Sequence, residues 1–168
     1  MPVWQYVSIG GIIMSNVRTS SQKAMKRWKM HRNALIELAA VFPESSGSWR
    51  PWKEGMTVIE LVHHLAWTPE FFLAPIEGRE MNIPPVPETL SEARKLLEEL
   101  TNAHEKIVAS LTDEDLEMET TIDLFKLTEP TEDMLYRLIG HEAHHKGQLI
   151  LYARILGAEP PFYVDLSL

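Results

Sequence analysis

The chain has 168 residues, of which 45% are apolar and 24% charged, and its formal net charge is −8. This length and composition are typical of one globular domain with a single hydrophobic core. The acidic balance argues against a nucleic-acid partner, because a phosphate backbone is repelled by a negatively charged surface. No cysteine is present, so a metal site must be built from His, Asp or Glu.

The first nineteen residues, 1–19, form an apolar N-terminal extension that precedes a domain at 20–168. The extension lacks the basic region and the small-residue cleavage site of a secretory signal peptide. Its apolar stretch of about a dozen residues is also too short to span a bilayer. We therefore expect no membrane association and a cytoplasmic location.

Four segments have the periodicity of amphipathic helices. They run from about 20 to 41, from 57 through 72, from 89 to 111 and from 131 to 156. Thr57 and Glu60 form a capping box at the start of the second segment. Pro69 is expected to kink that segment or to begin a new turn capped by Thr68.

Between the third and fourth helices, residues 118–130 alternate weakly and predict either a short hairpin or an irregular loop. Four long amphipathic helices without a convincing sheet favour an all-α fold. The predicted architecture is a four-helix bundle of the up-down type, with a longer connection before the last helix.

Histidines are concentrated on two of the predicted helices. In the last helix, His141 and His145 belong to a 4-3 spacing that is typical of the inward seam of a bundle. The whole seam comprises Met134, Leu138, His141, His145, Gln148, Tyr152 and Ile155. Two buried imidazoles on adjacent turns are costly unless each has a partner, and one divalent cation about 2.0–2.1 Å from each nitrogen would satisfy both.

The second helix offers His63 and His64. Its inward register selects His64 and turns His63 toward the flank. The sequence therefore predicts a metal site formed by His64, His141 and His145. Three protein ligands leave coordination positions open, as a catalytic metal requires.

Other polar residues are weaker candidates. His31 and His104 point inward by periodicity and are predicted to line the cavity, and Tyr152 follows on the same seam. Glu142 and His144 are candidates for moving a proton at the metal, although Glu142 fits a solvated flank position equally well.

Within the stretch HEAHHKGQ, His141, Glu142 and His145 also match the zinc-protease motif H-E-x-x-H. The extended form of that motif fails, because Gln148 stands where glycine is required and Leu151 where histidine is required. A protease of this kind also presents a strand edge to its substrate, and no clear sheet is predicted. The protease interpretation is therefore disfavoured.

A di-iron bundle is a further alternative, since Glu60/His63 and Glu142/His145 both have E-x-x-H spacing. Turning the first pair inward would swing two leucines of that helix away from the core. The scheme also leaves His141 without a role. The number of metal ions per chain distinguishes this alternative from the three-histidine site.

The stretches TVIELVHHL at 57–65 and HEAHHKGQLILYARILGAEPP at 141–161 resemble the DinB/YfiT-like superfamily, and the resemblance covers about 20–168. It implies a four-helix bundle that binds a divalent metal, often zinc or nickel, through three histidines. Carried over by position, those ligands fall on His64, His141 and His145. The resemblance also implies a homodimer.

Members of this family with assigned activities include thiol-dependent transferases and isomerases that use bacillithiol, mycothiol or glutathione. The resemblance therefore implies a small-molecule substrate and a low-molecular-weight thiol, whose thiolate is held at the metal and attacks an electrophile. Two alternatives stay open. A metal-bound water would give hydrolysis, and a fourth ligand from His31 or His104 would favour a structural or sensory cation in a helical binding protein.

Overall fold

A computed structural model describes residues 19–168. Most of the predicted extension therefore lies outside the described residues. The helices are α1 Ser20–Ala40, α2 Val58–Trp67, α3 Glu70–Ile76, α4 Leu90–Ser110, α5 Asp113–Glu117 and α6 Thr131–Ile155, and the strands are β1 Glu119–Ile122 and β2 Leu127–Pro130. In the described part of the chain, no helix is both long enough and apolar enough to cross a membrane.

The predicted four-helix bundle is confirmed. Helix α1 packs against α4 and α6, and α2 packs against the same two helices, so that α1 and α2 lie diagonally across the bundle. Helices α1, α2 and α4 each begin with a capping box, in which a threonine side chain and a residue three positions later bond to each other's backbone N–H groups. These caps define where three of the four long helices begin.

The second predicted helix is divided in two. Helix α2 ends at Trp67, and α3 begins after Pro69, because proline cannot continue the hydrogen-bond ladder. The break at Pro69 was predicted, but the cap was not the one expected. The hydroxyl of Thr68 donates to the carbonyl of His64 at the end of α2, and α3 has no side-chain cap.

Residues 118–130 form the hairpin, the first of the two predicted alternatives. Strand β1 pairs with β2 in antiparallel register, with Ile122 opposite Leu127. A 3-10 turn at Asp123–Phe125 joins them, and Lys126 closes the turn with φ of 50°. Ile122 is buried in the core and anchors the hairpin to the helices. The fold thus contains a small sheet, which the all-α prediction lacked.

The core consists of two apolar clusters with a layer of polar side chains between them. One cluster centres on leucines of α1, α2 and α4 together with the end of α6, and the other on Trp28, α3 and the start of α6. The polar layer comprises Arg32, Thr68, Glu70, Thr101, His104, Glu142 and Lys146, all of which are buried. Along the chain each of these positions falls between a member of one cluster and a member of the other, so the layer crosses the bundle near its middle.

The predicted seam of α6 differs from the buried face that the structure shows. Met134, Leu138 and Tyr152 are buried as predicted, but Ile155 is 55% exposed. Glu142 is buried, whereas His141, His145 and Gln148 are only half-buried. Neither predicted alternative for Glu142, a role in proton transfer or a solvated flank position, included burial in the core, where an unpaired charge is costly. The pattern of α6 alone could not show that α1 supplies its partner.

Candidate metal centre

The three histidines predicted as metal ligands converge in the structure. One ring nitrogen from each of His64, His141 and His145 lies within 4.8 Å of the others. The Nε2 atoms of His64 and His141 are 3.2 Å apart, and the ring of His145 is centred 4.5 Å from each of the other two rings. Between residues 19 and 168, this is the one group of three or more metal-ligating side chains.

Helix geometry explains the convergence. His141 and His145 are four residues apart on α6, so their rings project from consecutive turns of the same face. His64 lies in the last turn of α2, which packs against α6. The Pro69 break directly after α2 means that His64 stands at a helix end, where its ring faces α6 without a further turn of α2 beside it.

The site holds neutral imidazoles. Burial, and after it the neighbouring imidazoles, lower the pKa of His64 and of His141 to about 4. Burial also lowers the pKa of His145. A neutral imidazole keeps the nitrogen lone pair that a metal ion requires, so all three side chains are available as ligands at neutral pH.

The donor atoms fit a divalent cation. Two nitrogens that each lie about 2.0–2.1 Å from a tetrahedral metal are about 3.3 Å apart, close to the observed 3.2 Å between Nε2 of His64 and of His141. Nδ1 of His145 is 2.7 Å from Oε1 of Gln148. A proton on that Nδ1 leaves Nε2 free as a ligand, which is the usual arrangement around a metal-bound histidine.

His141 carries a buried polar atom that the protein does not satisfy. Its Nδ1 has no hydrogen-bond partner among the described residues. Nε2 of the same ring is the nitrogen that faces His64, so Nδ1 cannot bind the same cation, and a buried group of this kind calls for a water as its partner. Imidazole is a ligand suited to zinc, nickel and copper, so the donor set fits a cation of this class.

Glu142 lies on the other side of α6 from this centre. Its side chain is 1% exposed and accepts hydrogen bonds from Nε1 of Trp28, at 3.0 Å, and from the guanidinium of Arg32. Arg32 in turn donates to the carbonyl of Leu65. Burial raises the pKa of Glu142, and the charge of Arg32 opposes that effect. The solvated-flank alternative is therefore wrong, and a role in proton transfer would require this ion pair to break.

The residues predicted to line the cavity do not belong to the three-histidine group. Nδ1 of His31 accepts from Lys146 at 3.0 Å. Nε2 of His104 lies 3.0 Å from the carboxylate of Glu70, and the side chain is fully buried. Tyr152 packs edge-on against a tryptophan in the apolar core. His31 and His104 thus have partners of their own.

The two remaining histidines of the clusters lie beside the site. His144 is exposed, with its ring 4.8 Å from that of His145. His63 does not join the ligand group, in agreement with its predicted flank position, but it is buried rather than solvated. Its Nε2 is 2.9 Å from the carbonyl of Pro84, so His63 attaches the proline-rich connection to α2.

The sequence analysis missed the polar layer and the orienting role of Gln148. Arg32 follows Trp28 by four residues on the inward face of α1, a spacing that already signals an arginine directed at the core. Gln148 follows His145 by three residues, which is within reach on a helix surface. The helical spacing thus indicated that Arg32 faces the core and that Gln148 can reach His145, but spacing along one helix does not identify a partner on another helix.

Known proteins resemble this chain over most of its length. A family model for the DinB superfamily matches residues 27–149. The uncharacterized protein YjoA of Bacillus subtilis is 32% identical over 151 residues, which cover 85% of this chain and 96% of YjoA.

Solved structures show the same fold. The crystal structure of the DinB-like YjoA protein from Bacillus subtilis superimposes with a TM-score of 0.70 at 27% identity, covering 86% of this chain and 99% of that chain. A DinB-like protein from Bacillus cereus gives a TM-score of 0.73 at 20% identity and covers 82% of this chain and 93% of its own. The family match and the agreement in sequence and fold together show that this chain belongs to the DinB superfamily.

Proposed function

We propose that this protein is a metal-dependent enzyme in which His64, His141 and His145 bind one divalent cation, zinc or nickel. Its reaction is the transfer of a small thiol to an electrophile. In that reaction a carbon–sulfur bond forms, the bond between carbon and the leaving group breaks, and the thiol proton departs with the leaving group. The observation that carries the proposal is the convergence of three neutral imidazoles at a half-buried position between α2 and α6.

The protein's own residues would hold and orient the cation. Nε2 of His64 and of His141 already face each other at the separation of two ligands, and Gln148 fixes the tautomer of His145. A divalent cation bound there supplies positive charge that favours the deprotonated form of a thiol or of water. Because all three ligands are neutral, the full charge of the cation acts on the incoming group.

An open coordination position favours catalysis over a purely structural cation. Structural zinc sites are closed by four protein ligands, whereas catalytic sites keep a position for substrate. His31 and His104 were the two residues expected to close the site if the cation were structural. One ring nitrogen of His31 bonds to Lys146 and one of His104 bonds to Glu70. Neither histidine belongs to the group that converges with His64, which supports a site with three protein ligands.

Metal analysis of purified variants tests the ligand set. We expect one divalent ion per chain in the wild type and loss of that ion in His64→Ala, His141→Ala and His145→Ala. His144→Ala is the matched control, because this exposed histidine neighbours the site on the same helix and should leave the metal content unchanged. Two ions per chain, or equal loss in the control, would contradict the three-histidine site.

Thiol dependence separates an enzyme from a metal-stabilised scaffold. We expect one thiol among bacillithiol, mycothiol and glutathione to raise the melting temperature of the metal-loaded protein but not that of the metal-free protein. Consumption of that thiol with a panel of epoxides and aryl halides should then require the metal. If the loaded protein is indifferent to every thiol and hydrolyses no ester, the cation is structural.

A further inference from the structure

A row of aromatic rings extends from the three-histidine centre to the tip of the hairpin. The ring of Trp67 stands edge-on to His64, with centroids 5.7 Å apart. The ring of Phe71 follows at 5.2 Å from Trp67, and that of Phe125 stacks on Phe71 at 6.0 Å. We call Trp67, Phe71 and Phe125 the aromatic row.

Three separate elements build the aromatic row. Trp67 is the last residue of α2, Phe71 lies in the first turn of α3, and Phe125 ends the 3-10 turn of the hairpin. The break at Pro69 places Trp67 and Phe71 next to each other across the junction of two helices. Burial of Ile122 anchors the hairpin so that Phe125 reaches Phe71.

The outer end of the aromatic row is exposed and adjoins a cavity. Phe125 is 61% exposed and its neighbour Leu124 is 66% exposed. A cavity of about 340 Å³ lies beside the row and is within the size range of ligand sites, about 300–1,000 Å³. Apolar side chains such as Phe71, Met81 and Leu124 line it together with the charged Arg79, Glu80 and Asp123. Large apolar side chains left exposed together often mark a binding surface.

We infer that the aromatic row binds the apolar part of a ligand whose donor group lies at the three-histidine centre. The ligand class is a small molecule that carries a metal-binding group, such as a thiol, joined by a short spacer to an aromatic ring. This inference rests on the proposed metal centre and adds the chemistry of the group that the site accepts.

The chemistry of the row favours an aromatic group over an alkyl chain. Offset-stacked and edge-on contacts between aromatic rings strengthen binding beyond the area that they bury, by up to about tenfold for one pair. Trp67 is the ring next to His64, so a substituent one or two atoms from a metal-bound donor reaches Trp67 first. Trp67 therefore determines the preference, and Phe125 contributes less because it lies furthest from the centre.

A pair of thiol probes on the cobalt-substituted protein tests the inference without any assay of turnover. Ethanethiol and 2-phenylethanethiol share the same donor and differ by a phenyl group remote from sulfur. Their affinities are measured from the sulfur-to-cobalt absorption bands in wild type, Trp67→Ala, Phe125→Ala and Trp52→Ala. The last variant is the matched control, because Trp52 is 56% exposed and lies outside the row.

We expect the wild type to bind 2-phenylethanethiol about tenfold more tightly than ethanethiol. Trp67→Ala should reduce that ratio to about two or less, Phe125→Ala should reduce it partly, and Trp52→Ala should preserve it. If Trp67→Ala unfolds, Trp67→Leu, which keeps an apolar side chain but removes the ring, decides the question, and an unchanged ratio in that variant would overturn the inference.

Failure of the inference is distinguishable from failure of the metal centre. If the protein binds cobalt but has equal affinity for the two thiols, the aromatic row is not a ligand site. The same conclusion follows if both row variants retain the preference for 2-phenylethanethiol. Absence of cobalt binding by the wild type overturns the metal centre and this inference with it. A dimer in light scattering that Trp67→Ala or Phe125→Ala converts to monomer shows that a second copy covers the row, and also overturns the inference.

Discussion

The segment HEAHHKGQ of α6 carries two sets of polar side chains, and the two sets differ in the partners that they contact. On the side toward α2, His141 and His145 meet His64, and Nδ1 of His141 has no partner among the described residues. On the side toward α1, Glu142 is paired with Arg32, and Lys146 bonds to a histidine and a backbone carbonyl. The imidazoles toward α2 are neutral and converge on one another, which suits an external ion, whereas the charged groups toward α1 are paired with other protein groups and hold the fold together.

The buried side has a defined structural role. A buried ion pair adds little net stability, because removing two charges from water offsets their attraction. Breaking such a pair is costly, however, since the remaining charge is left buried. The pair between Arg32 and Glu142, with the bond from Trp28, thus fixes the rotation of α6 between the two apolar clusters. That rotation also sets where His141 and His145 point.

The largest expected effect comes from removing Glu142. Glu142→Ala leaves the guanidinium of Arg32 buried without its carboxylate, which costs about 3–5 kcal/mol. For a chain of this size we expect the melting temperature of the metal-free protein to fall by about 6–20 °C. Thermal unfolding followed by circular dichroism measures the change.

A double variant serves as the control for Glu142→Ala. Arg32→Met combined with Glu142→Leu removes both charges and fills the space with apolar side chains, so most of the stability should return. If Glu142→Ala melts within about 2 °C of the wild type, corresponding to less than about 1 kcal/mol, the ion pair does not hold α6 in place.

The opposite pattern is expected for His141, on the side of α6 toward α2: little loss of stability without metal, and loss of the stabilisation that the metal provides. His141→Ala removes an imidazole whose Nδ1 the protein leaves unsatisfied, so the metal-free protein should lose about 1 kcal/mol or less. The wild type should gain about 2.7 kcal/mol when the free metal is at 100 times its dissociation constant, and the variant should gain none. Melting curves with and without zinc or nickel give both numbers. Equal metal stabilisation of the two proteins would remove His141 from the site.

Much of this contrast could be predicted from the sequence, and the part that could not be predicted has a physical cause. Helical spacing and the ligand chemistry of histidine were sufficient to bring His64, His141 and His145 together. The same spacing left Glu142 between a role in proton transfer and a solvated flank position, and it did not predict burial in an ion pair. The partner, Arg32, lies 110 residues away, and no periodicity within one helix encodes a pair across the bundle.

The fold shows the same division between local and distant information. Thr57 predicted where α2 begins and Pro69 predicted where the helix breaks, since those signals act within a few residues. The diagonal placement of α1 and α2 and the stacking of Phe125 on Phe71 depend on packing between elements. Local sequence patterns do not predict that packing.

A smaller effect is expected at Gln148, which orients His145 on the side toward α2. Gln148 holds Nδ1 of His145 at 2.7 Å, and loss of such an orienting partner costs about 10- to 100-fold in metal affinity. Gln148→Leu should therefore weaken metal binding by this factor, while Gln148→Glu, which keeps an acceptor, should retain most of it. Competition with a chromophoric chelator measures the affinities. An affinity unchanged in Gln148→Leu would mean that His145 does not depend on this bond.

The smallest effect is expected for Lys146, on the buried side. Lys146 donates to Nδ1 of His31 and to the carbonyl of Tyr163. Water can replace the Lys146 ammonium at both acceptors, since His31 is half-buried and Tyr163 is exposed. Lys146→Met should therefore cost only about 1 kcal/mol at neutral pH, well below the cost of Glu142→Ala, as measured by urea denaturation.

The same variant should change how stability depends on pH. Burial, and then the charge of Lys146, lower the pKa of His31 to about 4 from an ordinary 6.5. Between those two pH values the unfolded chain binds a proton at His31 that the folded chain does not, so the free energy of unfolding falls as the pH falls through this window. Without the lysine charge the pKa of His31 should rise, and the fall in stability should become shallower. Histidine titration by NMR, together with urea denaturation at several pH values, measures both, and an unchanged His31 pKa would show that burial alone lowers it.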